Sequence, residues 1–244
     1  MTTSELTVAI VSGATGAIGS ATCRALRAAG HHVIVGYRSD AEGAATLAAE
    51  LAPHATAVQL DVTDESQVEA CVAEAQRIGT LAVVVNNAGM TGDDLMLRLD
   101  PDRFDLTVET NLRGAYLLTR AALRPMLRAR FGRVINVSSI VALRGNPGQV
   151  AYAAAKAGMI GMTRSLAREV ARKGITVNAV APGFVESAMT SELPEQAREA
   201  LVASAPIGRP VLASEVAHAI AFLASPEAAP ITGAVLPVDG GAAI

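Results

Sequence analysis

The sequence predicts an α/β fold: one doubly wound domain over residues 1–244, a seven-stranded parallel sheet with helices on both faces. Short β-branched runs alternate with longer Ala/Leu/Arg-rich stretches along the whole length, the pattern of parallel strands joined by crossover helices. Of the 244 residues, 51% are hydrophobic and 18% charged, enough apolar surface for a core without disulfides or a structural metal. No linker, low-complexity segment or internal repeat interrupts the alternation.

In chain order, strands are expected at Val8–Val11, Val33–Val35, Ala57–Leu60, Leu81–Val85, Arg133–Val137, Thr176–Val180 and Val235–Val238. Between them, Ile18–Ala29, Ala41–Leu51, Glu65–Ile78, Phe104–Ala129, Val150–Arg172 and Ser214–Ala224 carry apolar residues at spacings of three and four, as core-facing helices do. Glu186–Pro210 lacks clear periodicity and holds Pro194, Pro206 and Pro210. Because it follows the sixth strand, where open parallel sheets bind ligands, it reads either as a surface loop with a short helix or as a substrate lid.

Charge and composition remove other classes. Twenty basic residues against 23 acidic ones leave a net charge of −3 with no basic block, so nucleic acid is not an expected partner. Cys23 and Cys71 fall in separate helices, and no Cys/His cluster has ligand spacing, so no metal is expected. No apolar run reaches the ~18–20 residues of a membrane span, and Met1–Glu5 lacks a basic leader; a cytoplasmic protein without a membrane partner is the expectation.

The first strand runs through Ser12-Gly13-Ala14-Thr15-Gly16-Ala17-Ile18-Gly19 directly into a helix. Glycines there permit a tight turn and close backbone approach to a pyrophosphate, while the helix's first N–H groups supply partial positive charge, as in a Rossmann domain. The second strand ends Val35-Gly36-Tyr37-Arg38-Ser39. A carboxylate at that strand end selects NAD, whereas an arginine accommodates a 2′-phosphate. With no acid before Asp40, the cofactor expected is NADP(H), with Arg38 as phosphate clamp and Ser39 as a second donor.

Of the 20 basic residues, 18 are arginine and only Lys156 and Lys173 are lysine, so a lysine marks a place where a compact ammonium is wanted. Lys156 lies four residues after Tyr152, on the same helical face. A phenol titrates near 10 in water, and a neighbouring ammonium favours its ionised form, so the pair suits acid–base work. Ser139 ends the fifth strand, Asn86-Asn87-Ala88-Gly89 ends the fourth, and Asn111 interrupts an otherwise amphipathic helix. The ordinary reading of Tyr152 and Lys156 is a packed ring and a solvated amine. Convergence with the other three signals favours a site.

These residues, with Asp61-Val62 and Pro182-Gly183 in the same order and spacing, resemble the short-chain dehydrogenase/reductase family over the full length. The resemblance implies Asn111, Ser139, Tyr152 and Lys156 as a catalytic tetrad. It also implies nucleotide contacts from Gly13, Thr15, Gly16, Ile18, Gly19, Asp61, Val62, Asn87, Ala88, Gly89, Tyr152, Lys156, Pro182, Gly183 and Val185, with Asp61 and Val62 beside adenine. Asp93–Leu99, Gly145–Gln149, Gly174–Asn178 and Ala181–Glu186 are similar to the β-ketoacyl–acyl carrier protein reductases. That resemblance implies reduction of a 3-oxoacyl thioester on acyl carrier protein in fatty acid or polyketide biosynthesis. Alternatives are an acetoacetyl-CoA reductase, another short-chain ketone oxidoreductase, or a non-catalytic NADP-binding regulator. It further implies carrier docking at Arg130 and Lys173 and a homotetramer paired through Phe104–Ala129 and Val150–Arg172. Three positions depart from the family's turn: Ser12 replaces Thr, Ala17 replaces Gly, and Gly16 stands where many NADP-dependent members carry a basic residue.

Overall fold

The computed structural model describes residues 6–186 and 195–243. Its strands are β1 (Thr7–Val11), β2 (His32–Tyr37), β3 (Ala55–Gln59), β4 (Thr80–Asn86), β5 (Gly132–Val137), β6 (Ile175–Pro182) and β7 (Val235–Val238). All pair in parallel, in the order β3-β2-β1-β4-β5-β6-β7. The order reverses between β1 and β4, and a crevice opens at such a reversal, beyond the strands' carboxyl ends.

Alternation along each strand divides the core. Ala9, Val11, Val33 and Val35 face one apolar layer, completed by Ile220 and Leu223. Val8, Ile10 and Ile34 face the other, completed by Val68, Leu118 and Met126. The helices of the two layers follow the expected periodicity: α1 (Ala17–Ala28), α2 (Ala41–Glu50), α3 (Glu65–Ile78), α4 (Pro101–Val108), α5 (Gly114–Ala129), α6 (Val141–Arg144), α7 (Val150–Val170), α8 (Glu195–Ala203) and α9 (Ala213–Ala224). Side chains fix several starts. Asp64 accepts from the Ser66 and Gln67 amides to cap α3, and Asp100 caps α4 with Pro101 in its first turn. Cys23 and Cys71 are free and buried, as expected of small apolar residues.

The expected continuous helix Phe104–Ala129 is corrected. It begins at Pro101 and is divided by a π-turn over Glu109–Arg113, one residue wider than α-helical geometry. The strand expected at Ala57–Leu60 begins two residues earlier and ends one earlier, and the helix expected to reach Arg172 ends at Val170, followed by a tight turn, Ala171–Lys173. Helix α8 occupies part of the segment read as a loop or lid. Ser187, Met189, Leu193 and Pro194 lie outside the described residues.

A thread of buried amides and hydroxyls ties the layers together. Asn86 Nδ2 donates to Thr119 Oγ1 at 2.8 Å and to Asn136 Oδ1 at 2.7 Å, and Asn136 Nδ2 donates to Thr163 Oγ1 at 2.8 Å. It joins β4, β5, α5 and α7 through groups that apolar packing alone would leave unpaired.

Candidate functional site

A cleft of about 820 Å³ opens over the carboxyl ends of the strands. Its nucleotide end is built on the β1–α1 turn. Gly13 has φ +61°, and a Cβ there would stand 2.9 Å from Ala88 Cα, so the turn closes onto the loop after β4. Ser12 Oγ accepts from the amides of Asn87 and Ala88, both at 3.0 Å, and Asn87 Nδ2 donates to the carbonyls of Ser12 and Gly13. That is the work done by the serine hydroxyl at this departure from the family turn. Ala17 enters α1 without positive φ, so its methyl group is accommodated.

Helix α1 begins with no side-chain cap and no acid in its first turn. Its first amides are free to meet an anion, and Thr15, Gly16, Ile18 and Gly19 border the cleft there. Arg38 and Ser39 are exposed on the rim at the end of β2. Asp40 accepts from the Gly43 amide at 3.0 Å, so the nearest acid is engaged at the start of α2. Asp61 borders the cleft with Val62, and its Oδ1 accepts from the Thr63 amide and hydroxyl. Asn87, Ala88, Gly89, Pro182, Gly183 and Val185 complete the lining. An uncapped helix start, a glycine turn without room for side chains and an arginine-bearing rim fit a dinucleotide phosphate.

Ser139, Tyr152 and Lys156 meet about three strand spacings, or ~14 Å, along the sheet edge from Arg38. Ser139 Oγ accepts from the Val141 amide at 3.2 Å as the chain enters α6. Lys156 is 3% exposed; its Nζ donates to Val137 O at 2.8 Å and stands 5.6 Å from the centroid of the Tyr152 ring. Ser138 Oγ donates to Lys156 O at 3.0 Å, so the end of β5 grips this residue by backbone and side chain.

Burial acts on both members of this pair. Burial pushes the Tyr152 phenol up to about 12; a hydrogen bond to Ser139 pulls it back, and the Asp93 charge raises it further. Burial lowers Lys156 to about 8. One of the three ammonium N–H groups goes to the Val137 carbonyl, and the phenol holds its proton at neutral pH.

Asn111 does not border the cleft. It is fully buried in the π-turn, where Nδ2 donates to the carbonyls of Met90 and Thr107, both at 2.8 Å. Its Oδ1 has no partner among the described residues. A Cβ at Gly89 would lie 2.6 Å from that oxygen and 3.5 Å from Lys156 Nζ, so the glycine leaves a passage between amide and amine.

Arg130 and Lys173 are not brought to the cleft. They precede β5 and β6, at the amino ends of the strands, about 20 Å of strand length away. Both are exposed, and a Cβ at Gly174 would run into the carbonyl of Arg130, so the two loops touch. Sequence reading missed Asp93, Arg144, Gln149 and Ala242, which also border the cleft. Asp93 and Gln149 lie in runs quoted above only for the resemblance, and nothing in the sequence singles out Arg144 or Ala242.

Residues 13–243 match the family model described as enoyl-(acyl carrier protein) reductase. The chain is 47% identical over 238 residues to the 3-oxoacyl-(acyl-carrier-protein) reductase FabG of Pseudomonas aeruginosa, covering 96% of each. It is 44% identical over 235 residues to the FabG of Escherichia coli, again covering 96% of each. Among solved structures, an actinorhodin polyketide ketoreductase variant with NADPH matches with TM-score 0.92 and 38% identity, over 98% of this chain and 97% of that one. With the glycine turn, the parallel sheet and the tyrosine–lysine pair at its carboxyl edge, this chain belongs to the short-chain dehydrogenase/reductase family.

Proposed function

We propose that this protein is an NADPH-dependent reductase of 3-oxoacyl thioesters carried on acyl carrier protein. The observation that carries the reading is the meeting of Ser139, Tyr152 and Lys156 in the cleft over the strand ends, with the buried Lys156 amine 5.6 Å from the Tyr152 ring centroid. The names of the relatives and of the solved ketoreductase support the same substrate class.

The α1 amides and the glycine turn hold the pyrophosphate, Arg38 and Ser39 the 2′-phosphate, Asp61 and Val62 the adenosine, and Pro182–Val185 the nicotinamide side. When bound, the dinucleotide supplies a hydride to the 3-oxo carbon. Ser139 and Tyr152 donate hydrogen bonds to the ketone oxygen and strengthen them as negative charge grows there. Tyr152 then gives up its proton. An alkoxide is a stronger base than a phenolate, so proton transfer from the phenol to it is downhill. Lys156, near 8, exchanges protons with solvent at neutral pH and resupplies the phenol, and the open acceptor on Asn111 positions water behind it.

The test is NADPH oxidation with acetoacetyl-CoA and an acetoacetyl carrier protein. Turnover of both, lost by at least a thousandfold in Tyr152→Phe with NADPH binding retained, is the expected result. Nucleotide binding without turnover on any ketone favours a regulator, and reduction of a 2-enoyl thioester instead favours an enoyl reductase.

The acidic carrier docks at Arg130 and Lys173, which have no ion-pair partner among the described residues. Docking there requires the carrier's long arm or the cleft of a neighbouring copy. Reversing both charges should raise KM for the carrier substrate and spare the CoA thioester; equal effects would discredit the patch. The working assembly is a homotetramer paired through α5 and α7. Ala154, Ala157 and Gly161 expose a small-residue face on α7, and Tyr116 and Leu127 are exposed on α5. Light scattering reads the assembly directly. Action in the cytoplasm, where NADPH is available, completes the proposal.

A further inference from the structure

Around Ser139 the cleft lining changes character on two sides. One side is polar: Asn146 Nδ2 donates to Gln149 Oε1, and Gln149 Nε2 donates to Asp93 Oδ2, forming a linked rim. The other is apolar: Ile140, Leu201, Ala205 and Ala242 all border the cleft, and Ile140, Ala205 and Ala242 form a buried cluster separate from both main core layers.

The apolar side is bounded by the C-terminal tail, which is firmly held. Asp239 Oδ1 accepts from the Gly241 amide at 3.0 Å and Oδ2 from the Ala243 amide at 2.8 Å. Arg144 donates to Ala242 O at 2.8 Å, tying the tail to α6 immediately behind Ser139. On its other side the Ile207 amide, in the turn after α8, donates to Gly240 O at 3.1 Å, and a Cβ at Gly240 would run into Ile207. The tail is therefore held on two sides, by Arg144 and by the turn at Ile207, and Ala242 presents an apolar surface to the cleft.

We infer that this tail, through Ala242, is the stop that limits acyl-chain length, with Ala205 beside it in the same cluster. The inference rests on the thioester reading above and deepens it. A 3-oxoacyl thioester has a polar arm on one side of its ketone and an alkyl chain on the other. The linked rim matches the arm; the Ile140–Ala205–Ala242 cluster matches the chain. Because the tail is hydrogen-bonded at both flanks, extra carbons meet a wall that does not readily yield.

The experiment compares CoA thioesters of 3-oxobutanoate, 3-oxooctanoate and 3-oxododecanoate in the wild type and Ala242→Leu, with NADPH binding measured in both. Leucine places three further carbons where the chain would run. Since one methylene misplaced in an apolar pocket is worth about tenfold or more in kcat/KM, the ratio of twelve-carbon to four-carbon kcat/KM should fall at least tenfold. A ratio within twofold of the wild type, or an equal loss at all three lengths, overturns the inference. If Ala242→Leu no longer binds NADPH, Ala205→Leu reads the same cluster with the same ratio, and the same two results overturn the inference there. A wild type that reduces none of the three thioesters overturns the thioester reading itself and removes the stop with it, an outcome distinct from an unmoved ratio.

Discussion

Replacing Lys156 by methionine should make the nucleotide-free protein more stable while abolishing its activity. The lysine is 3% exposed, its amine donates to one hydrogen-bond partner among the described residues, the Val137 carbonyl, and burial brings it from 10.5 to about 8. That depression equals on the order of 3 kcal/mol by which folding is penalised while the amine is charged. Methionine keeps the unbranched shape and removes the charge, at the loss of one hydrogen bond worth about 1 kcal/mol. The net gain is about 2 kcal/mol, or roughly 4–8 °C in Tm for a chain of this size. The assay is thermal unfolding without nucleotide, at fixed protein concentration, at pH 7 and near pH 10.5. Between 8 and 10.5 the unfolded chain binds more protons at this site than the folded one, so wild-type stability rises with pH relative to the variant. The advantage of Lys156→Met should thus be full below pH 8 and mostly gone near 10.5. A variant no more stable than the wild type at pH 7, or a gap indifferent to pH, would refute the account of a desolvated, charged amine.

The pH profile of kcat/KM for NADPH, which reports the free enzyme, should be flat to about 8 and then fall tenfold per unit as Lys156 loses its proton; decline beginning below 7 would mean the phenol ionises far lower than its burial dictates. Arg38→Asp should shift the NADPH-to-NADH ratio of kcat/KM toward NADH by at least a hundredfold, and an unmoved ratio would remove Arg38 from the phosphate. Gly16→Arg should move the same ratio the other way by several-fold: φ at Gly16 is −71°, and a Cβ there meets only Gly13 O at 3.5 Å, so the arginine fits beside the phosphate end. Lost stability in that variant would contradict the open space at this position.

The strands were legible because β-branched runs such as Val83-Val84-Val85 have few other uses in a parallel sheet buried on both faces. The break at Glu109–Arg113 was not, because a one-residue π insertion leaves apolar spacing nearly intact on each side; only Asp100-Pro101 marked the true start. Helix α6 is four residues long, too short for any periodicity to register. At the site, spacing alone placed Tyr152 and Lys156 on one face. The direction in which the phenol shifts depends on burial, and the amine's partner, Val137 O, comes from a neighbouring strand; neither is written in a five-residue motif. Asn111 announced itself as a misplaced amide, but its partners, Met90 and Thr107 carbonyls, required the fold.

The asparagine–threonine thread through Asn86, Asn136, Thr119 and Thr163 bears on how far this enzyme can be redesigned. Thr163 sits on the helix that carries Tyr152 and Lys156, so the same bonds that bridge two strands also fix the rotational setting of that helix. Exchanging one member for an aliphatic residue strands an amide in a dry interior, whereas exchanging all four together for shapes that interlock removes the obligation altogether. Engineers who graft a new pocket onto this scaffold should therefore treat the quartet as one unit of inheritance, transplanted whole or replaced whole.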